Sequence, residues 1–314
     1  MSIAGVTSSR VASLGRVGLS CRSPGEVSLS GPLLSLAQRL DQAFLLMASM
    51  VWDAEDERHP ATLSAQCLQR VNYLDSFPHH ATFPARLDPD DANLDQFRSG
   101  PVIGPDGDVT LTRLAPVRDI LTPAACYHLY VHHEGERLTR PLYLTTSNTC
   151  FRNEHHYEPL RRQWSFTMRE IVCLGTAFEA AQFLERSRAA LNVLLAGIGL
   201  EVGWTIATDP FFRPLENPGY LMQRVQPLKH EAVYGGDLAI GSANLHHDHF
   251  GAAFAINRDE RAVHTACIAF GLERWLFALT DKHGADPESW PDPLRAAREA
   301  VPLATGHPQD ISDA

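Results

Sequence analysis

Apolar residues recur at helical spacing through residues 33–56, where Leu33, Leu36, Leu40, Phe44 and Met47 fall on one stripe. That spacing predicts a helix with one buried face. A second stripe runs through 178–197, with Phe183, Leu184, Leu191, Leu194 and Leu195, and ends near Gly197 and Gly199. A third helical segment is expected at 265–284. Elsewhere the period shortens. Segments 140–154, 165–178, 200–208, 221–226, 228–234 and 237–243 read as strands, and 121–133 as a strand or a strand with a short helix. Residues 71–83 read as a helix end with an irregular stretch at Pro78, residues 86–98 as a solvated helix or loop, and GPDGD at 104–108 as a turn. Helices first, hairpins next and a closing helix imply an α+β fold with a mostly antiparallel sheet.

Residues 29–300 read as a single domain, followed by a loose tail at 301–314. Residues 1–28 read as a disordered leader. The first 25 carry Arg10, Arg16 and Arg22, many serines and no acid, a composition that also resembles an organelle transit peptide. The apolar run AFLLMASMVW at 43–52 is too short to span a bilayer.

The chain has 314 residues and a formal net charge of −10, which argues against a protein built mainly to grip nucleic acid through phosphate contacts. Six cysteines, at 21, 67, 126, 150, 173 and 267, form no CxxC pair. Free or metal-bound thiols in a reducing cytoplasm fit this spacing better than a disulfide framework.

The chemistry concentrates in one predicted hairpin, CFRNEHHYEPLRRQWSFTMREIV at 150–172. At strand period Arg152 and Glu154 share a face on the first strand, and Phe166, Met168 and Glu170 share one on the second. The loop between them holds Pro159, Arg161 and Arg162. A cation, carboxylates and an aromatic plate on one face suit a ligand that is flat and anionic. Cys150 shares the face of Arg152, whereas Cys173 lies three residues after Glu170 and faces away. HHDH at 246–249 lacks the i, i+4 spacing of zinc proteases; on a strand His246 and Asp248 face one way and His247 and His249 the other. It reads as pocket lining.

Three segments fall in one order: LTPAAC at 121–126, FRNE at 151–154 with FTMRE at 166–170, and GLERWLFAL at 271–279. Together they resemble the catalytic core of class II aminoacyl-tRNA synthetases across roughly residues 70–285. The nearest branch resembles seryl-tRNA synthetase in its zinc-dependent archaeal form, where a cysteine stands at the position of Cys126. The seryl enzymes carry a long N-terminal coiled-coil arm; no sustained heptads and no basic appendage are present here. A core without that arm resembles the amino acid:[carrier protein] ligases, as does LAIGSANLHHDHFG at 238–251.

The resemblance implies an adenylate-forming ligase that activates a small amino acid, glycine or alanine, with ATP and passes it to the phosphopantetheine thiol of a carrier protein. It implies that Arg152 contacts the α-phosphate and the attacking carboxylate, that Glu154 accepts from the adenine amino group, and that Phe166 stacks on adenine. Arg274, at the start of the final helix, would hold the γ-phosphate, and Arg161 or Arg162 would reach the phosphates. Lys229 and Glu231 would lie on a strand close to ATP and Mg²⁺, and Lys229, Ser242 and Asn244 beside the substrate. Cys126, Glu170 and Cys267 would hold Zn²⁺ with one position open to the substrate amino group, Cys150 being a rival ligand. A homodimer is implied, with residues 71–85 near its interface, and an acidic carrier would meet a basic patch such as Arg186 and Arg188. Two other readings stand beside this one: a zinc-dependent enzyme charging tRNA, and a non-catalytic regulator of synthetase descent.

Overall fold

The first apolar stripe folds as α1, Gly31–Trp52, in the computed structural model, which describes residues 11–305. Pro32 sits in the first turn, where backbone N–H groups have no helical partner, and Asp53 closes the helix in the left-handed conformation at φ 52°. The helix stops short of residue 56 because Glu55–Glu57 is already a strand, β1.

Seven strands form the central sheet: β1, β2 (Leu142–Phe151), β3 (Ser165–Gly175), β4 (Val202–Ile206), β5 (Lys229–Tyr234), β6 (Leu238–His247) and β7 (His264–Gly271). Their spatial order is β1-β2-β3-β7-β6-β5-β4. Only β1 and β2 pair in parallel; every other neighbour is antiparallel. Helices α1, α3 (Ala177–Gly197), α5 (Leu272–His283) and α6 (Pro293–Thr305) cover one face. A capping box starts α3, with Thr176 and Glu179 satisfying each other's backbone N–H groups.

Strand parity divides the two faces. Ile171 and Cys173 of β3 enter the helix-side core, where Phe44 stacks on Phe270 at 4.1 Å and meets Trp275 edge-on at 4.9 Å. Each such ring pair contributes about 1 kcal/mol beyond its area burial. Val172 and Leu174 face the opposite way, into a smaller core with Tyr130, Phe250 and Phe254. The same face continues through Glu170, Met168 and Phe166, so this alternation aims them away from the helix layer.

Several elements differ from the sequence reading. Residues 221–226, expected as a strand, belong to helix α4, Pro218–Val225, because Pro218 and the capping Asn217, which accepts from Gly219 N–H at 2.8 Å, start a helix there. The segment 265–284 is not one helix: its first part is β7, buried on both faces, and α5 begins at Leu272. A strand covered on both sides loses its alternation and reads like a buried helix. Arg152 and Glu154 lie just beyond the end of β2 rather than within it, and β3 stops at Gly175.

The leader expectation does not hold for residues 11–28. Leu14 and Leu19 are buried in the main core, and Leu19–Ser20 pairs with Ser28–Leu29. Residues 1–10 lie outside the described residues. At the other end α6 buries Val301 and runs to Thr305, past the expected boundary at 300, while 306–314 lie outside the described residues. That same helix follows α5, so Arg274 does not start the final helix of the chain. Among the described residues no helix is long and apolar enough to cross a membrane.

Candidate active site

A cavity of about 300 Å³ opens on the face of the sheet opposite the helix layer. One end is acidic. Cys126, at the start of α2 (Tyr127–His132), meets Glu170 from β3 and Cys267 from β7, all buried, with ligand atoms within 4.8 Å of one another. The Cys126 N–H donates to Glu170 Oε1 at 3.1 Å, and Asn244 Nδ2 donates to Cys267 Sγ at 3.3 Å. The Cys126 thiol is raised well above its ordinary value by its hydrogen bond with Cys267 and by burial, with Glu170 adding to the effect. Cys267 is also raised: its bond with Cys126 works the other way, but burial and Glu170 outweigh it. Two thiols and a carboxylate turned on each other in a buried site are the donor set of a tetrahedral soft cation. The residues present therefore fit zinc.

Two other cysteines stand apart from that group. Cys173 packs in the helix-side core. Cys150 is buried near Met168 and Ala269, with its thiol 3.8 Å from the Asn148 carbonyl.

The other end of the cavity is cationic. Arg152 follows β2, donates from Nε to the Pro123 carbonyl at 3.0 Å and lies over the ring of Phe166. Arg274, in the first turn of α5, donates to the backbone carbonyls of Arg161 at 2.8 Å and Ala239 at 2.9 Å. Burial, then repulsion from Arg152 and Arg162, lower Arg274 to about 10. Among the described residues neither Arg152 nor Arg274 has a carboxylate ion pair. Two part-buried guanidiniums held by carbonyls suit an anionic ligand.

Glu154, Arg161, Glu231, Ser242 and Asn244 also line the cavity. Arg162 does not; it pairs with Glu154 at 2.7 Å. Arg161 pairs with Glu158 at 3.1 Å and Asp237 at 2.7 Å. Lys229 also lines the wall, but its ammonium pairs with Asp209 at 2.7 Å and Glu231 at 3.2 Å. Burial opposes that charge, yet Asp209 and Glu231 outweigh it and Lys229 is raised. Of the HHDH stretch only His246 lines the cavity. β6 ends at His247, which takes φ 52°, and a short helix starts at His249, so one strand parity does not apply to all four residues. His246 is lowered to about 3 by burial and sits 3.7 Å from Cys267 Sγ.

Sequence reasoning missed Asp209 and Glu273. Asp209 comes from a loop before α4, and only its three-dimensional pairing with Lys229 marks it. Glu273 had a signal, an acid beside Arg274 at a helix start. Both its oxygens accept from Thr167 N–H, at 2.9 and 3.0 Å, and burial raises it to about 7.

Sheet order, helix layer and cavity together define a class II aminoacyl-tRNA synthetase fold. A Methanopyrus kandleri seryl-tRNA synthetase crystallised with a tRNASec superposes with TM-score 0.76 over 98% of this chain and 62% of its own, at 19% identity. A Cryptosporidium parvum prolyl-tRNA synthetase superposes with TM-score 0.67 over 92% of this chain and 54% of its own, at 11% identity. No family model matches. In sequence the chain is 32% identical over 273 residues to amino acid–[acyl-carrier-protein] ligase 1 of Bradyrhizobium diazoefficiens, covering 83% of this chain and 81% of the relative. It is 32% identical over 255 residues to ligase 2 of the same organism, 77% of this chain and 74% of that one. The type-2 serine–tRNA ligase of Methanopyrus kandleri is 27% identical over 295 residues, 86% of this chain but 56% of that one. The chain belongs to the amino acid–[acyl-carrier-protein] ligase family and is an enzyme.

Proposed function

We propose that this enzyme activates a small amino acid with ATP and loads it onto the phosphopantetheine thiol of an acyl carrier protein. The observation that carries the reading is the two-ended cavity: two guanidiniums that have no carboxylate partner among the described residues at one end, and Cys126, Glu170 and Cys267 at the other. In the first step a carboxylate oxygen of the amino acid attacks the α-phosphorus, a new O–P bond forms, and the bond to the β-phosphate breaks with pyrophosphate as leaving group. In the second the carrier thiolate attacks the acyl carbonyl and AMP leaves. The attacking carboxylate needs no side-chain base, so the site must supply alignment and charge stabilisation at phosphorus.

Arg152 orients the α-phosphate and the attacking carboxylate with its planar fork. Phe166 offers its ring to adenine and Glu154 accepts from the adenine amino group. Arg274 holds the γ-phosphate with Arg161 nearby, and Glu231, beside Lys229, would help to hold Mg²⁺. Cys126, Glu170 and Cys267 would hold Zn²⁺, which would supply a Lewis-acid position selective for a free α-amino group. Asn244 and His246 crowd the wall beside Cys267, which favours a short side chain such as that of glycine or alanine, and Ser242 lies on the same wall.

An acidic carrier would land on α4 and the turn that precedes it. Leu215, Leu221, Met222 and Val225 are exposed there with Arg213 and Arg224, and Gln223 of the same helix lines the cavity. Arg186 and Arg188 instead cover the rings of Trp52 and Trp204. A homodimer with residues 71–85 near its interface, working in the cytoplasm, completes the reading. A tRNA-charging activity is the second reading, favoured by the likeness to the type-2 serine–tRNA ligase.

ATP–pyrophosphate exchange with each standard amino acid, with and without a zinc chelator, tests adenylate formation. Exchange supported by one or two small amino acids is expected. Transfer to holo-carrier protein rather than tRNA separates the two acceptors. Folded, zinc-loaded enzyme that exchanges with no amino acid would overturn the reading.

A further inference from the structure

A second cluster of metal-ligating side chains lies outside the active site. Glu57 ends strand β1, and His132 and His133 end α2, the helix that Cys126 begins. One ligand atom from each of the three lies within 4.8 Å of the others. We propose that Glu57, His132 and His133 form a second metal site, holding a zinc-class divalent ion through one carboxylate and two imidazoles.

The surroundings have the arrangement that metal-binding imidazoles need. His133 turns Nε2 to Glu57 Oε1 at 2.7 Å, while its far nitrogen, Nδ1, lies 3.0 Å from Glu136 Oε1. That nitrogen makes no well-formed hydrogen bond among the described residues, but an outer carboxylate at this distance raises the basicity of the imidazole as a ligand. His59 Nε2 lies 2.9 Å from the other Glu57 oxygen, so the carboxylate is oriented. His128, only 5% exposed, stacks on His59 at 5.3 Å, and its Nε2 has no hydrogen-bond partner among the described residues. So many imidazoles around one carboxylate exceed what a single ion pair requires. Two nitrogens and one oxygen suit zinc and leave a position for water.

The location gives the site a structural consequence. Helix α2 has six residues, with Cys126 capping its start and His133 its end. An ion shared with Glu57 ties the far end of α2 to edge strand β1. That tie steadies the helix whose first N–H holds Glu170. The competing account is a hydrogen-bonded cluster in which a proton, not a metal, sits between His133 and Glu57.

The test uses the full chain, stripped with a chelator, loaded with Zn²⁺ alone and desalted. Zinc per chain is measured by mass spectrometry for the unaltered protein, the double variant Glu57→Gln/His132→Ala, and Cys126→Ser. His132 is exposed, and circular dichroism checks that the double variant is folded. The expected result is a loss of about one equivalent of zinc in the double variant, with that equivalent kept in Cys126→Ser. Equal zinc in the folded double variant and the unaltered chain would overturn the proposal. Cobalt substitution reads the active site independently, through a thiolate absorption band that Cys126→Ser should lose and the double variant should keep. Absence of that band from every form would count against the active-site metal alone, and the zinc difference would still decide the second site.

Discussion

The guanidinium carbon of Arg152 lies 5.2 Å from the centroid of the Phe166 ring, with its Nε donated to the Pro123 carbonyl at 3.0 Å. One residue follows β2 and the other opens β3, so the β2–β3 pairing holds them together. Among the described residues the two terminal nitrogens of Arg152 carry no hydrogen bond. The side chain is aimed and anchored at one end, and its fork remains available to an anionic ligand.

Replacing Arg152 by alanine should therefore strike the chemical step. Loss of one preorganised charge-stabilising group costs about 3–4 kcal/mol, or two to three orders of magnitude in rate. Lysine at the same position should recover little, because a point charge cannot make two parallel bonds. ATP–pyrophosphate exchange measures both variants. Exchange near the unaltered rate in Arg152→Ala would remove this residue from the phosphate site.

Metal removal should separate the cysteines. Dialysis against a chelator, or Cys126→Ser or Cys267→Ser, should lower bound zinc and abolish amino-acid-dependent exchange. Cys150→Ser should keep its metal, because that thiol faces the Asn148 carbonyl, and Cys173 should behave likewise in the helix-side core. Zinc content by mass spectrometry checks each variant. Loss of zinc from Cys150→Ser would make Cys150 a ligand.

Arg169 joins the sheet to α1 through a buried ion pair. It lies on the helix-side face of β3, 4% exposed, and makes two bonds to Asp41 of α1, at 2.6 and 3.0 Å, and one to Asp56 at 2.9 Å. Breaking a buried pair by removing one partner costs about 3–5 kcal/mol, and the partial exposure of both aspartates lowers this to about 2–3 kcal/mol. Urea unfolding of Arg169→Met should show that loss. A midpoint unchanged from the parent would mean that the bridge contributes nothing net.

Much of this fold was legible because its signals are local. Leu33, Leu36, Leu40, Phe44 and Met47 mark α1 by spacing alone, and parity on β3 separates Glu170 from Cys173. The candidate site residues were picked out by ordered motifs, and the structure gathers Arg152, Phe166, Arg274 and the Cys126 group around one cavity. What escaped depends on non-local burial. β7 carries TACIAFG without alternation because both of its faces are covered, so it read as helix. Asp209 sits in a loop, and its partner Lys229 is twenty residues on, at 2.7 Å. The Glu57–His133 pair joins two elements far apart in sequence, and neither element has a motif of its own.

Glu273 should leave a mark on stability against pH. Its two oxygens accept from Thr167 N–H, yet burial raises the carboxyl from 4.5 to about 7. The folded protein then holds this proton more tightly than the unfolded chain. The associated stability is full below about pH 4.5 and is lost as pH rises through about 7. At ~1.36 kcal/mol per pKa unit, the loss is on the order of 3 kcal/mol at most. Histidine as a residue type ordinarily titrates near the same range, so the informative quantity is the difference between the unaltered enzyme and Glu273→Gln. Glutamine keeps the shape and cannot ionise. Urea unfolding across this range should show the unaltered enzyme losing stability relative to Glu273→Gln as pH rises. Parallel curves for the two proteins would mean that Glu273 titrates at its ordinary value, and that the Thr167 N–H compensates its burial.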